Sequence, residues 1–372
     1  MDATHARLCL LLHSLPNLDN RQLRLLLRRF GSPQALWAAD SPDLLEAGAS
    51  AAAIADLAVA RAGGRHPEAP RDIDRQLDAL YAVDGRVIAL GAPDYPPLLA
   101  AIHDPPPFLY LRGSGGLLQA PQLAMVGSRK ATPPGIRYAR DLACAAVRAG
   151  LTVTSGLALG IDGAAHRGAL EAGGASVAVM ATGVETIYPR RHQPLAAQLL
   201  ENGCLVSEFA PLTPALPQHF PARNRIISGL ALGVLVVEAA LPSGSLITAG
   251  TALEQGREVF AVPWFPAHPG GRGCLRLLRD GAAMVETIDD VLVELGALFQ
   301  CQLELAPAAA PEETCAAGAR QSWLLGLIGF EVVTVETLVK SSERPVAEVL
   351  AALSRLELER SILRHGGGYI RC

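Results

Sequence analysis

From Gln122 to about Leu298 short apolar runs alternate with longer stretches in which apolar residues recur every three or four positions. The runs are LAMVG, LTVTSG, ASVAVMATG, CLVSEF, GVLVVEAA, EVFAVP and AAMVET, each followed by a helical pattern. Strands that are apolar on both sides need cover on both faces, and a parallel sheet wrapped by helices provides it. The pattern therefore predicts an α/β fold, a doubly wound Rossmann-like parallel sheet, over residues 122–300. Before it, residues 1–65 carry leucines at helical spacing, broken by Pro16, Gly31 and Pro42 into short helices, and read as a small helical domain. Residues 66–121 read as a linker and an extension into the core, containing a helix, the strand VIAL and the proline-rich run DYPPLLAAIHDPPPFLYLRG. After the sheet, 301–318 is an Ala/Pro-rich linker. Residues 319–372 hold three helical patterns and the hairpin SILRHGGGYIRC, the order of a C-terminal winged-helix domain.

Composition narrows the function. Half of the 372 residues are apolar, 18% are charged and the net charge is −4, so a nucleic-acid site would have to be a local patch. Only Lys130 and Lys340 are lysines, which leaves anion recognition to forked guanidinium groups. Seven cysteines without a C-x-x-C pair suggest neither a disulfide framework nor a zinc site, and a reducing cytoplasm is the expected setting. The apolar run Leu8–Leu12 is too short to cross a membrane, and no membrane association is expected.

Candidate chemistry gathers at the strand ends, where ligands of doubly wound sheets bind. In AMVGSRKATPPG the strand is followed by Gly127, Ser128 and Arg129, then by Thr132, a helix cap preceding two prolines. An arginine beside a positive helix end anticipates an anion. TSGLALGIDGAAH offers a second turn with Ser155, Gly156 and Gly160, and two neighbouring cradles suggest more than one phosphate. Asp162 and His166 share a helix face, but a helix-start carboxylate and a satisfied histidine explain them better than an acid–base pair. In HFPARNRIISGLALGVLVVEAA, Phe220 stands beside Arg223, Asn224 and Arg225. Either the ring stacks on a base and the arginines meet phosphate, or Phe220 is buried as a staple and the arginines are solvated or pair with Glu208 or Glu238. The turn Ser243-Gly244-Ser245 completes the set. No G-x-G-x-x-G, P-loop, G-x-S-x-G or H-E-x-x-H occurs, so no catalytic residue, metal ligand or cofactor is expected, and the chain reads as a protein that is not an enzyme.

The series MVGSRKATPPG, TSGLALGIDGAAH, ATGVETIYPRRHQPLA, the long segment from SEFAPL to VFAVP, and RGCLRLLRDGA resembles the DNA-processing protein family DprA (Smf), in order over most of residues 94–290. The resemblance implies a sterile-alpha-motif-like N-terminus and a winged-helix C-terminus. It also implies a homodimer that binds incoming single-stranded DNA in natural transformation and loads the RecA recombinase onto it. It carries DNA contacts onto Ser128, Arg129, Ser155, Gly156, Phe220 and Arg223 to Arg225, and a dimer contact onto the region of Leu275, Leu278 and Met284. Family members often carry a basic residue shortly before the aromatic and another before the S-G-S turn; here Pro217-Gln218-His219 and Pro242 stand there. His219 would then contribute a pH-dependent charge.

Two other classes compete. A nucleotide-binding or nucleotide-processing Rossmann-like enzyme shares the fold, and ligand length separates it from a strand binder. A duplex-reading winged helix is the other, but its helix PVAEVLAALSRLELE has one arginine against three glutamates, which suits a protein contact or folding better than a phosphate backbone.

Overall fold

The structure, a computed structural model, describes residues 3–63, 72–305, 324, 327–328, 333–342, 344–358, 362–365 and 368–371. Contacts divide the chain into two units, Met1–Pro307 and Ala308–Cys372.

The first unit begins with helices α1 (Ala3–Ser14), α2 (Asn20–Phe30), α3 (Pro33–Ala38), α4 (Ser41–Glu46) and α5 (Ala51–Arg61). The last four start where a short polar side chain accepts an amide of the first turn: Asp19, Ser32, Asp40 and Ser50. Then come α6 (Ile73–Tyr81), β1 (Arg86–Ala89), α7 (Pro97–Ala100) and β2 (Phe108–Gly113). The apolar faces of α1 to α6 share one continuous core with β1 and β2, and His13 Nδ1 lies 2.9 Å from the buried Tyr110 hydroxyl. Strand β2 was hidden in the sequence within the proline-rich run. Prolines donate nothing to a ladder and are tolerated only where a strand begins, which is where Pro105 to Pro107 stand.

The rest follows the predicted alternation: β3 (Gln122–Val126), α8 (Pro133–Arg148), β4 (Thr152–Ser155), α9 (Ile161–Glu171), β5 (Ser176–Val179), α10 (Gln193–Asn202) and β6 (Cys204–Ser207). After it come α11 (His219–Leu230), β7 (Gly233–Val236), α12 (Gly244–Glu254), β8 (Glu258–Ala261), α13 (Arg272–Arg279), β9 (Ala283–Met284) and α14 (Ile288–Leu305). Among the described residues nine strands form one sheet in the order β1-β2-β6-β5-β4-β3-β7-β8-β9. The seven from β6 to β9 are parallel and Rossmann-like, as expected. Strands β1 and β2 add an antiparallel edge, with Tyr110 opposite Ser207, so the sheet is mixed rather than wholly parallel. Every residue of β3 is buried, consistent with helices on both faces. The chain winds outward from β3 through β4 to β6, then returns by α11 to place β7 on the other side of β3. That reversal opens a crevice at the carboxyl ends of β3 and β7.

In the second unit, helices Val335–Ser342 and Val346–Leu358 pack with the antiparallel hairpin Ile362–His365 and Gly368–Arg371 around Leu338, Val349, Leu353 and Ile362. A bridge joins Val333 to Tyr369. Most of the first expected helix, and the whole Ala/Pro-rich linker beyond Leu305, lie outside the described residues.

Candidate nucleic-acid cleft

The crevice at the reversal point is a cleft of about 420 Å³. The turn after β3 contributes Gly127, Ser128 and Arg129, α11 contributes Phe220, Arg223 and Asn224, the loop after β7 contributes Pro242 and Ser243, and the start of α12 contributes Gly244 and Ser245. Segments far apart in sequence are thus brought together as expected, but the electrostatics differ from the expectation.

Both predicted anion cradles already hold a carboxylate of the chain itself. At the start of α8, the buried Glu238 accepts the Thr132 amide at 3.0 Å and the Thr132 hydroxyl at 2.8 Å, while that hydroxyl accepts the Gly135 amide as the cap. In the second turn Asp162 Oδ2 accepts the amides of Gly156 (3.1 Å) and Ala158 (3.4 Å). The amides of Thr132, Gly135, Gly156 and Ala158 are therefore committed internally. Ser155 is likewise turned inward: its hydroxyl donates to the Met125 carbonyl at 2.6 Å. Gly160 has φ of 80°, and a side chain there would run into the Ser128 carbonyl, so its role is to let α9 start against the β3 turn.

The arginines of α11 divide. Arg223 is 3% exposed, donates to the Val179 carbonyl and packs so closely on Gly156 that a Cβ there would collide with it. Burial lowers its pKa to about 10, with Asp162 opposing that shift and Arg129 adding to it. Asp162 shows the reciprocal effect: burial raises its pKa, and Arg223, the two amides and Arg129 work in the other direction. Arg225 does not reach the cleft. Its guanidinium is gripped by Glu208 at 2.6 and 2.7 Å and by Asp104 at 2.7 Å. Burial works against its charge, but the two carboxylates outweigh it and raise its pKa. Arg225 ties α11 to the loops flanking β2 and β6, and its pairing with Glu208 is the one that the second sequence alternative expected.

Arg129 remains exposed, with Lys130 beside it, and its guanidinium lies over the half-buried Phe220 ring at 5.1 Å. Facing them, Ser243 caps α12: its hydroxyl accepts the Ser245 amide and meets the Ser245 hydroxyl at 2.6 Å. Gly244 has open space around its Cα. The cleft thus presents the Arg129 guanidinium, hydroxyls from Ser128 and Ser243, the Asn224 amide and an aromatic edge, a set suited to a phosphodiester with its base. His219 does not line it; the imidazole stacks on Phe209 at 4.1 Å.

Asp162 serves its own loop as a helix-start carboxylate, while His166 is satisfied at one ring nitrogen only, its buried Nε2 having no partner among the described residues. His166 Nδ1 meets the Ser176 hydroxyl at 2.7 Å in full burial, and its pKa falls to about 3 through burial, then through His192, Arg223 and Arg167. Of the residues expected at a dimer contact, Met284 is 54% exposed on β9, the end strand, whereas Leu275 and Leu278 are half-buried and Leu278 packs on the core. Sequence reading assigned no role to Tyr188, an exposed ring 5.6 Å from Phe220. The signal was present in YPRR, an aromatic followed by two arginines.

The family model for DNA recombination-mediator protein A matches residues 86–296, and one for the DprA winged helix domain matches 306–368. Protein Smf of Escherichia coli K12 is 44% identical over 308 residues, covering 81% of this chain and 81% of that protein. Among solved structures, DNA processing protein A of Streptococcus pneumoniae superposes with a TM-score of 0.66 at 32% identity, over 76% of this chain and 95% of that one. The Helicobacter pylori protein, described for its single-stranded DNA binding mode, gives 0.52 at 27% identity over 57% of this chain and 95% of that one. By the extent of these matches and by its Rossmann-like sheet and winged helix, this chain belongs to the DNA recombination-mediator protein A family, the DprA (Smf) proteins.

Proposed function

We propose that this protein binds single-stranded DNA in the cleft between β3, α11 and α12, and acts as a recombination mediator. The observation that carries the reading is the exposed Arg129 guanidinium laid over Phe220 and facing the serine turn that opens α12. A guanidinium beside an aromatic edge meets a phosphate and its base together, whatever the base is. Asp162 in the cleft wall and the buried Glu238 both accept backbone amides, a structural role that favours a binder over a nucleotide-processing enzyme. The single-stranded DNA binding mode described for the Helicobacter pylori relative supports the same reading.

Loading of RecA during natural transformation, assembly as a homodimer and action in the cytoplasm complete the proposal, on family grounds. DNA contacts fall to Gly127, Ser128, Arg129, Phe220, Asn224, Ser243, Gly244 and Ser245, with Arg223 shaping the floor. Fluorescence anisotropy with oligothymidylate, duplex, RNA and mononucleotide probes tests the central claim. Salt-dependent binding of the oligomer without comparable binding of mononucleotides is expected. Mononucleotide affinity equal to or above that of the oligomer would overturn it in favour of an enzyme.

A further inference from the structure

A smaller recess opens beside the main cleft and shares Arg129 and Phe220 with it; its other walls are Gly156, Leu159, Tyr188 and Pro189. Two observations mark it as more than a surface irregularity. One face of Phe220 is already covered by the Arg129 guanidinium, 5.1 Å from the ring centre, so that ring is only partly available to a base. Tyr188, tilted by 56° to Phe220, is 47% exposed, and Leu159 opposite is 38% exposed. A half-exposed aromatic and a leucine lining one recess form an apolar slot that stays wet unless a flat group enters it.

Charge follows the recess wall along the chain. Arg190 and Arg191 follow Pro189 in a short 3-10 turn, both exposed, and among the described residues neither has a carboxylate partner. Guanidinium, ring, ring, two guanidiniums is the interleaving that lets a single strand alternate phosphate and base contacts.

We propose that the strand leaves the cleft across Tyr188, whose ring takes a second base in the slot with Leu159, and that Arg190 and Arg191 meet the backbone phosphates beyond it. This rests on the single-stranded DNA reading of the cleft and extends its footprint to the loop after β5. Tyr188 is then a base-contacting residue, and Phe220 serves partly to hold the Arg129 guanidinium flat.

Full-length protein, titrated with oligothymidylate and with an abasic deoxyribose-phosphate oligomer of the same length, tests the inference. Tyr188→Leu should weaken oligothymidylate binding roughly fivefold to a hundredfold and leave the abasic oligomer nearly unaffected. Tyr188→Trp should restore binding to wild-type strength or better, which a merely structural tyrosine would not require. The double variant Arg190→Ala/Arg191→Ala should weaken both oligomers and lower the salt slope by about two ions. If Tyr188→Leu binds oligothymidylate as the wild type does, or loses the abasic oligomer equally, the slot holds no base. If Arg129→Ala loses binding while both new variants keep it, this inference fails and the cleft reading stands. If the wild type itself does not bind, both fall.

Discussion

The guanidinium of Arg129 and the ring of Phe220 face each other at 5.1 Å, joining the end of β3 to the first turn of α11 across 91 residues of sequence. Altering either residue removes a contact of the other. Arg129→Ala should weaken single-stranded DNA binding by about 1–3 kcal/mol and reduce the salt slope by about one ion. Phe220→Leu should cost about as much while changing the melting temperature little, because the ring is half-buried. In the double variant the losses should fall short of their sum by roughly 0.5–1 kcal/mol, the coupling of a cation to a ring. Additive losses would mean that the two contact DNA independently.

Arg225 and Asp162 should separate stability from binding. Arg225→Ala removes a cation held by Glu208 and Asp104 and leaves the 8%-exposed Glu208 carboxylate without that cation, so a loss of about 3–5 kcal/mol in urea unfolding is expected. The salt slope of DNA binding should not change. Asp162→Ala should destabilise by a similar amount, because it strips two amides of their acceptor and leaves the buried Arg223 charge uncompensated. A reduced salt slope in folded Arg225→Ala would return that residue to the DNA-facing set.

His166 should make the protein acid-sensitive. Its folded-state pKa is about 3 against an ordinary value of 6.5, so the unfolded chain binds the extra proton throughout that window. Stability is unaffected above about pH 6.5 and falls as pH drops below it, by up to about 1.4 kcal/mol per pH unit for one proton. Asp162, whose pKa is raised, acts in the opposite sense. The measurement is therefore a comparison: unfolding of His166→Gln between pH 6.5 and 4.5 should have a pH slope shallower than wild type by close to one proton. Equal slopes would show that the imidazole is protonated in the fold.

Self-association is best probed at Met284. Leu278 packs against the core, so a charge there would disturb the protomer as well as any contact. Met284 is 54% exposed on the terminal strand of the sheet. Met284→Arg should remain folded and become monomeric by light scattering at micromolar concentration, because a two-fold contact buries the charge twice. Retention of a dimer's mass would place the interface elsewhere.

A chain ending at Pro307 keeps the whole first unit, including every wall of the cleft. Its affinity for oligothymidylate should stay within a few fold of full length. Loss of binding would assign the site to the second unit.

The alternation of apolar strands with amphipathic helices over 122–300 determined the parallel sheet, because burial on both faces leaves a local signature in every strand. The same logic placed the candidate residues at the strand ends, since in a doubly wound sheet only those ends open to a ligand. Strand β2 escaped notice because its apolar residues follow three prolines, and its membership in the sheet depends on β6, with Tyr110 opposite Ser207. Only the tertiary structure decided which groups satisfy one another. Thr132 finds Glu238 at 106 positions' distance and Arg225 finds Asp104 at 121, whereas the turn at Gly156 is filled by Asp162 only six positions away. A hydrophobic period repeats along the chain and can be read there. The partner of a buried charge is chosen through space, by whichever opposite charge the packed core brings within reach.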